Sequence, residues 1–139
     1  MRETLIADTG LLVGFVRRDD QHHDWAVEQF KLFSPPLLTC EVCIAEACFL
    51  VRDLTNGARR IFDLFDLRAV VLDFDLQNEW VSVLQIMEKY RDLPASLADA
   101  CLVRMAEMHR DARVLTVDRH FGVYRKNDRR VIPLVHPRW

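Results

Sequence analysis

The chain has 139 residues, half of them hydrophobic, with 21 acidic and 19 basic side chains and a formal net charge of −2. That length and apolar content suit one domain spanning residues 1–139 with a sizeable core, and they exclude a disordered or low-complexity chain. Its apolar runs fall short of the ~18–20 residues of a membrane-crossing helix, and "MRETLIADTG" has no secretory n-region and h-region, so the expected setting is the cytoplasm, away from membrane.

Charge is unevenly spread. Residues 104–139 hold nine Lys/Arg against four Asp/Glu, and residues 1–103 hold ten against seventeen. A basic last third reads either as solvated surface or as the footprint of a polyanion.

In chain order, "ETLIAD" (3–8) is an apolar-centred strand that stops abruptly at Asp8, and "LLVGFVRR" continues as a short helix. Residues 22–33 place Trp25, Ala26, Phe30 and Phe33 at helical spacing until Pro35–Pro36 stops the run. "PLLTC" (36–40) is a strand, and "EVCIAEACFLVRDL" (41–54) is a helix ended by Asn56–Gly57. A helix through "ARRIFDLFDL" and the strand "AVVLDF" (69–74) follow. The next helix, 76–90, carries Trp80, Val83, Leu84 and Met87 on one side. Beyond Pro94 and Ser96, "LADACLVRMAEMH" (97–109) is apolar nearly all round and predicts a buried helix. "RVLTVD" (113–118) and "RVIPLV" (130–135) are two more strands. Strands separated by helices imply right-handed crossovers and a mostly parallel sheet, hence a three-layer α/β/α sandwich.

Four cysteines, Cys40, Cys43, Cys48 and Cys101, include one C-x-x-C pair. A zinc site would need a second ligand pair, and the adjacent His22–His23 is poorly spaced for one. The apolar run around them predicts buried, inert thiols instead.

The topology gives the acids a common address. All strands of a parallel sheet end on one edge, where open α/β sheets bind ligands. Asp8 ends the first strand and Asp118 the strand "RVLTV"; Glu46 lies within the helix after the second strand, and Asp99 in the first turn of the buried helix. Each also has a structural reading. Asp8 or Thr9 caps the next helix, "SLAD" (96–99) matches a capping box, Asp118 caps the turn into "RHFGVY", and Glu46 faces water. Apolar neighbours on both sides of Glu46 weaken that last reading, because a buried lone charge is costly. Gathered carboxylates need protons or a cation, and hard divalent ions such as Mg²⁺ and Mn²⁺ take oxygen ligands together with substrate phosphates. Phosphodiester hydrolysis follows from such a set, and the basic third would then hold a nucleic-acid backbone.

"LIADTG", "CIAEACFL", "PASLADACLVRMA" and "VLTVDRHF", in this order over about residues 4–134, resemble the PIN-domain ribonucleases, most of all the VapC toxins of VapBC toxin–antitoxin pairs. The resemblance implies a PIN-like α/β fold in which Asp8, Glu46, Asp99 and Asp118 form a metal-binding acidic quartet that hydrolyses RNA with Mg²⁺ or Mn²⁺. Thr9 and Thr116 match the small hydroxyl residues that orient carboxylates or substrate. Arg119 and His120, which follow the last acid, read either as RNA contacts or as plain surface. A cognate antitoxin and a homodimer are the implied protein partners. Glu46 rather than the nearby Glu41 fits the motif, and Asp75 and Asp92 stand as bystanders.

Three other readings compete. "DTG" also marks retroviral-type aspartic proteases, whose fold is nearly all β and rich in glycine, whereas this chain has four glycines and several helical stretches. The D-x-D of "LDFDLQN" (72–78) resembles haloacid-dehalogenase-like phosphatases but lacks the hydroxyl residue expected after it. A PIN fold also serves as a binding or scaffold module without catalysis.

Overall fold

The computed structural model describes residues 3–139. Five short strands form the central sheet: β1 (Leu5–Ala7), β2 (Leu37–Thr39), β3 (Val70–Leu72), β4 (Arg113–Leu115) and, at the far edge, β7 (Leu134–Val135). Their order is β3-β2-β1-β4-β7, and every pairing is parallel. β1 therefore sits at the centre with Ile6 between Leu38 and Val114. Its three residues are buried on both faces, which is why it reads as an unbroken apolar run rather than an alternating one.

Six helices flank the sheet: α1 (Thr9–Val16), α2 (His23–Leu32), α3 (Glu41–Leu50), α4 (Gly57–Asp66), α5 (Leu76–Lys89) and α6 (Leu97–Met108). The first four pack among themselves, and α5 packs along α6. The result is the three-layer α/β/α sandwich that the alternation of strands and helices implies. In α6, Ala98 and every residue of Ala100–Val103 are buried, together with Met105 and Ala106, so this helix is the interior one.

Two stretches depart from the sequence reading. The helix predicted over 41–54 ends at Leu50, and Asn56–Gly57 opens α4 instead of closing α3. Asn56 takes the left-handed conformation at φ 56°, and a Cβ on Gly57 would lie 2.1 Å from the Val51 carbonyl oxygen. The pair is thus demanded by a close backbone approach between helices. "RVIPLV" is two strands rather than one. Arg130–Val131 (β6) pairs antiparallel with Arg125–Lys126 (β5), while Leu134–Val135 joins the main sheet. Pro133 stands between them. It has no N–H to give, but its carbonyl accepts from Val114 N at 2.9 Å.

Three of the four thiols, Cys40, Cys43 and Cys101, are buried as expected, and Cys48 is half-buried; all four are free. The Cys40 thiol is pushed up to about 12 by its hydrogen bond to Cys101 and by burial, and burial also raises Cys48.

The turn from β1 into α1 is the tightest point near the sheet edge. A Cβ on Gly10 would come within 2.4 Å of Val117 Cγ2, and Val117 lies between Thr116 and Asp118. Valine is stiff about χ1, so the strain passes to the backbone. Gly10→Ala should therefore lose about 1–2 kcal/mol in urea unfolding despite its better helix propensity. In a Val117→Ala background the same change should be neutral or stabilising; simple additivity would show that the contact carries no strain.

Candidate active site

Asp8 follows β1 directly and is 5% exposed. Its backbone N–H donates to Leu115 O at 3.0 Å, which continues the β1–β4 ladder. Its carboxylate accepts from Thr9 N at 2.7 Å as the cap of α1, and from Thr116 Oγ1 at 2.5 Å. Thr116 Oγ1 in turn accepts from Asp118 N at 2.9 Å. One threonine hydroxyl therefore joins the acid ending β1 to the backbone of the acid beyond β4.

Asp118 caps a 3₁₀ turn (Arg119–Gly122) by accepting from His120 N at 2.9 Å. Asp99 belongs to a true capping box, in which Asp99 N donates to Ser96 Oγ at 3.0 Å and Ser96 N to Asp99 Oδ2 at 3.4 Å. Glu46 lies in the middle of α3, and its Oε2 accepts from Thr9 Oγ1 at 3.1 Å. The cap readings of the three aspartates hold, yet the same bonds aim their carboxylates at one edge.

Electrostatics tie the three aspartates together. The Asp8 carboxyl is raised to about 7, first by burial and then by Asp99 and Asp118, against the lowering effect of Thr116 and Thr9. Asp99 is also raised by burial and by Asp118, while Tyr124 opposes the shift. Glu46 joins this group through Thr9 rather than directly. Among the described residues, no group of three or more His, Cys, Asp or Glu side chains is close enough to hold a metal ion between them. The donors are hard oxygens of the kind Mg²⁺ and Mn²⁺ accept, and such ions keep several waters and use one or two carboxylates. The residue types fit the ion; the arrangement supplies fewer than three protein ligands round one point.

Tyr124 is the site residue that the sequence reading missed. Its hydroxyl donates to Asp99 Oδ2 at 3.0 Å, and burial and the neighbouring Asp99, Asp118 and Asp8 raise its own pKa. The ring is fully buried against Tyr90 and Phe121. It follows Asp118 by six residues through a 3₁₀ turn, a segment with no helical or strand period to mark it.

The remaining sequence candidates separate cleanly. Arg119 and His120 are exposed beside Asp118, and His120 Nδ1 lies 3.5 Å from Asp118 Oδ1. Asp73 pairs with His109 at 3.1 Å and Asp75 caps α5, so both acids of the D-x-D are already engaged. The "DTG" triplet ends a parallel strand of an α/β sandwich, an architecture unlike the nearly all-β protease fold. Glu41 is exposed and Glu46 makes the contact with Thr9. No helix among the described residues is long and apolar enough to cross a membrane. Comparison of the chain with protein-family models and with curated proteins gave no match.

The Asp8 shift has a definite sign. The folded carboxyl holds its proton to about 7 against an ordinary value of 3.8. The folded state therefore binds more protons than the unfolded one in that window, and stability falls as pH rises through it. In EDTA, the unfolding free energy should fall by about 2–3 kcal/mol between pH 5 and pH 8, and Asp8→Asn should flatten that fall. Parallel pH profiles for the two proteins would show that Asp8 is not the buried acid responsible.

Proposed function

We propose that this protein is a Mg²⁺- or Mn²⁺-dependent endoribonuclease of the PIN type, acting in the cytoplasm as the toxin of a toxin–antitoxin pair. The observation that carries the reading is the buried Asp8 carboxyl, coupled to Asp99 and Asp118 at the carboxyl-terminal edge of a parallel sheet. A buried acid facing two others has little purpose in stability, because each raises the cost of ionising its neighbour. It suits a site whose working charge is completed by a cation and a phosphate.

In this reading Asp8, Asp99 and Asp118 would hold the ion. An ion bound there would supply polarisation of a phosphoryl oxygen and a water of lowered pKa. Thr116 and Thr9 N fix the Asp8 carboxylate, and Tyr124 fixes that of Asp99. Glu46, held by Thr9, orients the attacking water or receives its proton. Arg119 and His120 meet the RNA backbone. The exposed Phe49 and Leu50 of α3 and Phe62 of α4 offer an apolar face to an antitoxin segment or to a second protomer.

A second reading has one observation in its favour. All three aspartates are engaged at helix or turn starts, Asp8 and Asp118 as caps and Asp99 within a capping box, and no three-acid set is gathered among the described residues. A PIN-fold module that binds RNA without cutting it would look the same.

Hydrolysis of a mixed pool of structured RNAs with Mn²⁺ separates the two. Cleavage should vanish in EDTA and fall at least about 100-fold in Asp8→Asn and Asp99→Asn, with both variants folded by circular dichroism. Tyr124→Phe should lower cleavage about tenfold and stability by about 1 kcal/mol. RNA retained on the protein but left intact over the whole pool would establish the binding module.

A further inference from the structure

The same sheet edge carries an aromatic group that core packing does not explain. β7 runs beside β4 with Val135 opposite Leu115, and Thr116 N donates to Val135 O at 3.1 Å. The chain therefore leaves the sheet at His136, next to the stretch that holds Thr116 and Asp118. There His136 and Trp139 stack with ring centroids 4.0 Å apart and planes within 3° of parallel. His136 Nδ1 donates to the Pro137 carbonyl at 2.7 Å, and the buried Pro137 anchors the turn between the two rings. Arg119, the residue after Asp118, brings its guanidinium carbon to 5.9 Å from the Trp139 ring centroid.

His136, Trp139 and Arg119 are all exposed, Trp139 to 39%. An indole with 39% of its surface in solvent forgoes part of the stabilisation that full burial would bring. Parallel ring faces joined to a guanidinium plane are what unstacked RNA bases pack against, and the arginine adds a cation for an adjoining phosphate. The group is tied to the acids through a single residue step, Asp118 to Arg119.

We propose that His136, Trp139 and Arg119 form a stacking platform for a nucleobase of single-stranded RNA that flanks the phosphate held at Asp8, Asp99 and Asp118; this rests on the nuclease reading above. The platform binds by ring face and cation, so it selects unpaired RNA over duplex with little preference among bases.

Trp139 is one of three tryptophans, so Trp25→Phe with Trp80→Phe leaves it as the reporter. That protein, in EDTA, is titrated with a dye-labelled single-stranded RNA octamer of mixed sequence and with a duplex of the same length. Dye anisotropy reports binding, and indole emission reports stacking. The expected result is quenched Trp139 emission on binding the single strand, and weaker binding of the duplex. In the otherwise native chain, Trp139→Ala should weaken single-strand binding roughly tenfold with the fold retained by circular dichroism. Trp139→Phe should restore most of that loss, and in Mn²⁺ the alanine variant should raise KM while leaving kcat within about twofold. Saturable binding with unchanged Trp139 emission, or equal affinity in Trp139→Ala, would overturn the platform and leave the nuclease reading standing. No binding of either RNA at any concentration would also overturn the platform, while the nuclease reading stands or falls on cleavage in Mn²⁺.

Discussion

The hydroxyl of Thr116 donates to the Asp8 carboxylate and accepts from the backbone of Asp118, so a single side chain joins the ends of β1 and β4 at the level where charge is buried. Most of the site depends on this bridge. Burial alone would neutralise Asp8 across the ordinary pH range, since desolvation disfavours the charged form. The threonine bond and the Thr9 N–H pull the other way and leave the carboxyl poised near 7. A carboxyl with such a value is neither an inert core acid nor an ordinary surface one. Its state depends on what positive charge or proton reaches it.

The three aspartates owe their positions to helix and turn starts, and this is economical chemistry rather than a competing role. A carboxylate in a cap has its backbone donors fixed by the first turn, so its orientation is set by secondary structure. Because parallel strands deliver their following helices and turns at one edge, several caps fall together there. Each capping oxygen keeps a further lone pair for another partner. Tyr124 uses one such position on Asp99. Glu46 is different: it lies inside α3 rather than at a cap, and Thr9, next to Asp8, holds it at the rim.

How legible this was depended on whether the controlling contact was local. The buried β1 and α6 could be read from their apolar runs, and Asp8, Asp99 and Asp118 from their places at element ends, since cap chemistry acts over one to three residues. The division of "RVIPLV" was not legible, because two-residue strands have no period and Pro133 participates only through its carbonyl. Gly57 was misplaced for a similar reason. Its need comes from the Val51 carbonyl, and a helix-closing glycine and a helix-crossing one look the same in sequence. Tyr124 escaped because its partner, Asp99, is 25 residues away and nothing in its own neighbourhood records that contact.

The basic last third also changes meaning once the fold is known. Arg104 is committed to Glu79 and Glu107, Arg113 to Glu3, and Lys126 to the Arg110 carbonyl. Arg125 is turned onto the carbonyls of Gly122, Val123 and Tyr124. These charges hold the hairpin and α6 in place and add little to an external field. Arg119 and Arg138 are exposed on the segments that border the acids, and Arg119 is the one that adjoins Asp118 in the chain. An anionic ligand approaching three coupled carboxylates meets repulsion first, so cations close to the rim matter more than the net charge of a region. The excess of arginine in the last third thus divides into structural charges, exposed arginines just past α6 and on the hairpin (Arg110, Arg129 and Arg130), and a small group at the sheet edge, and only the last has the address that the acids define.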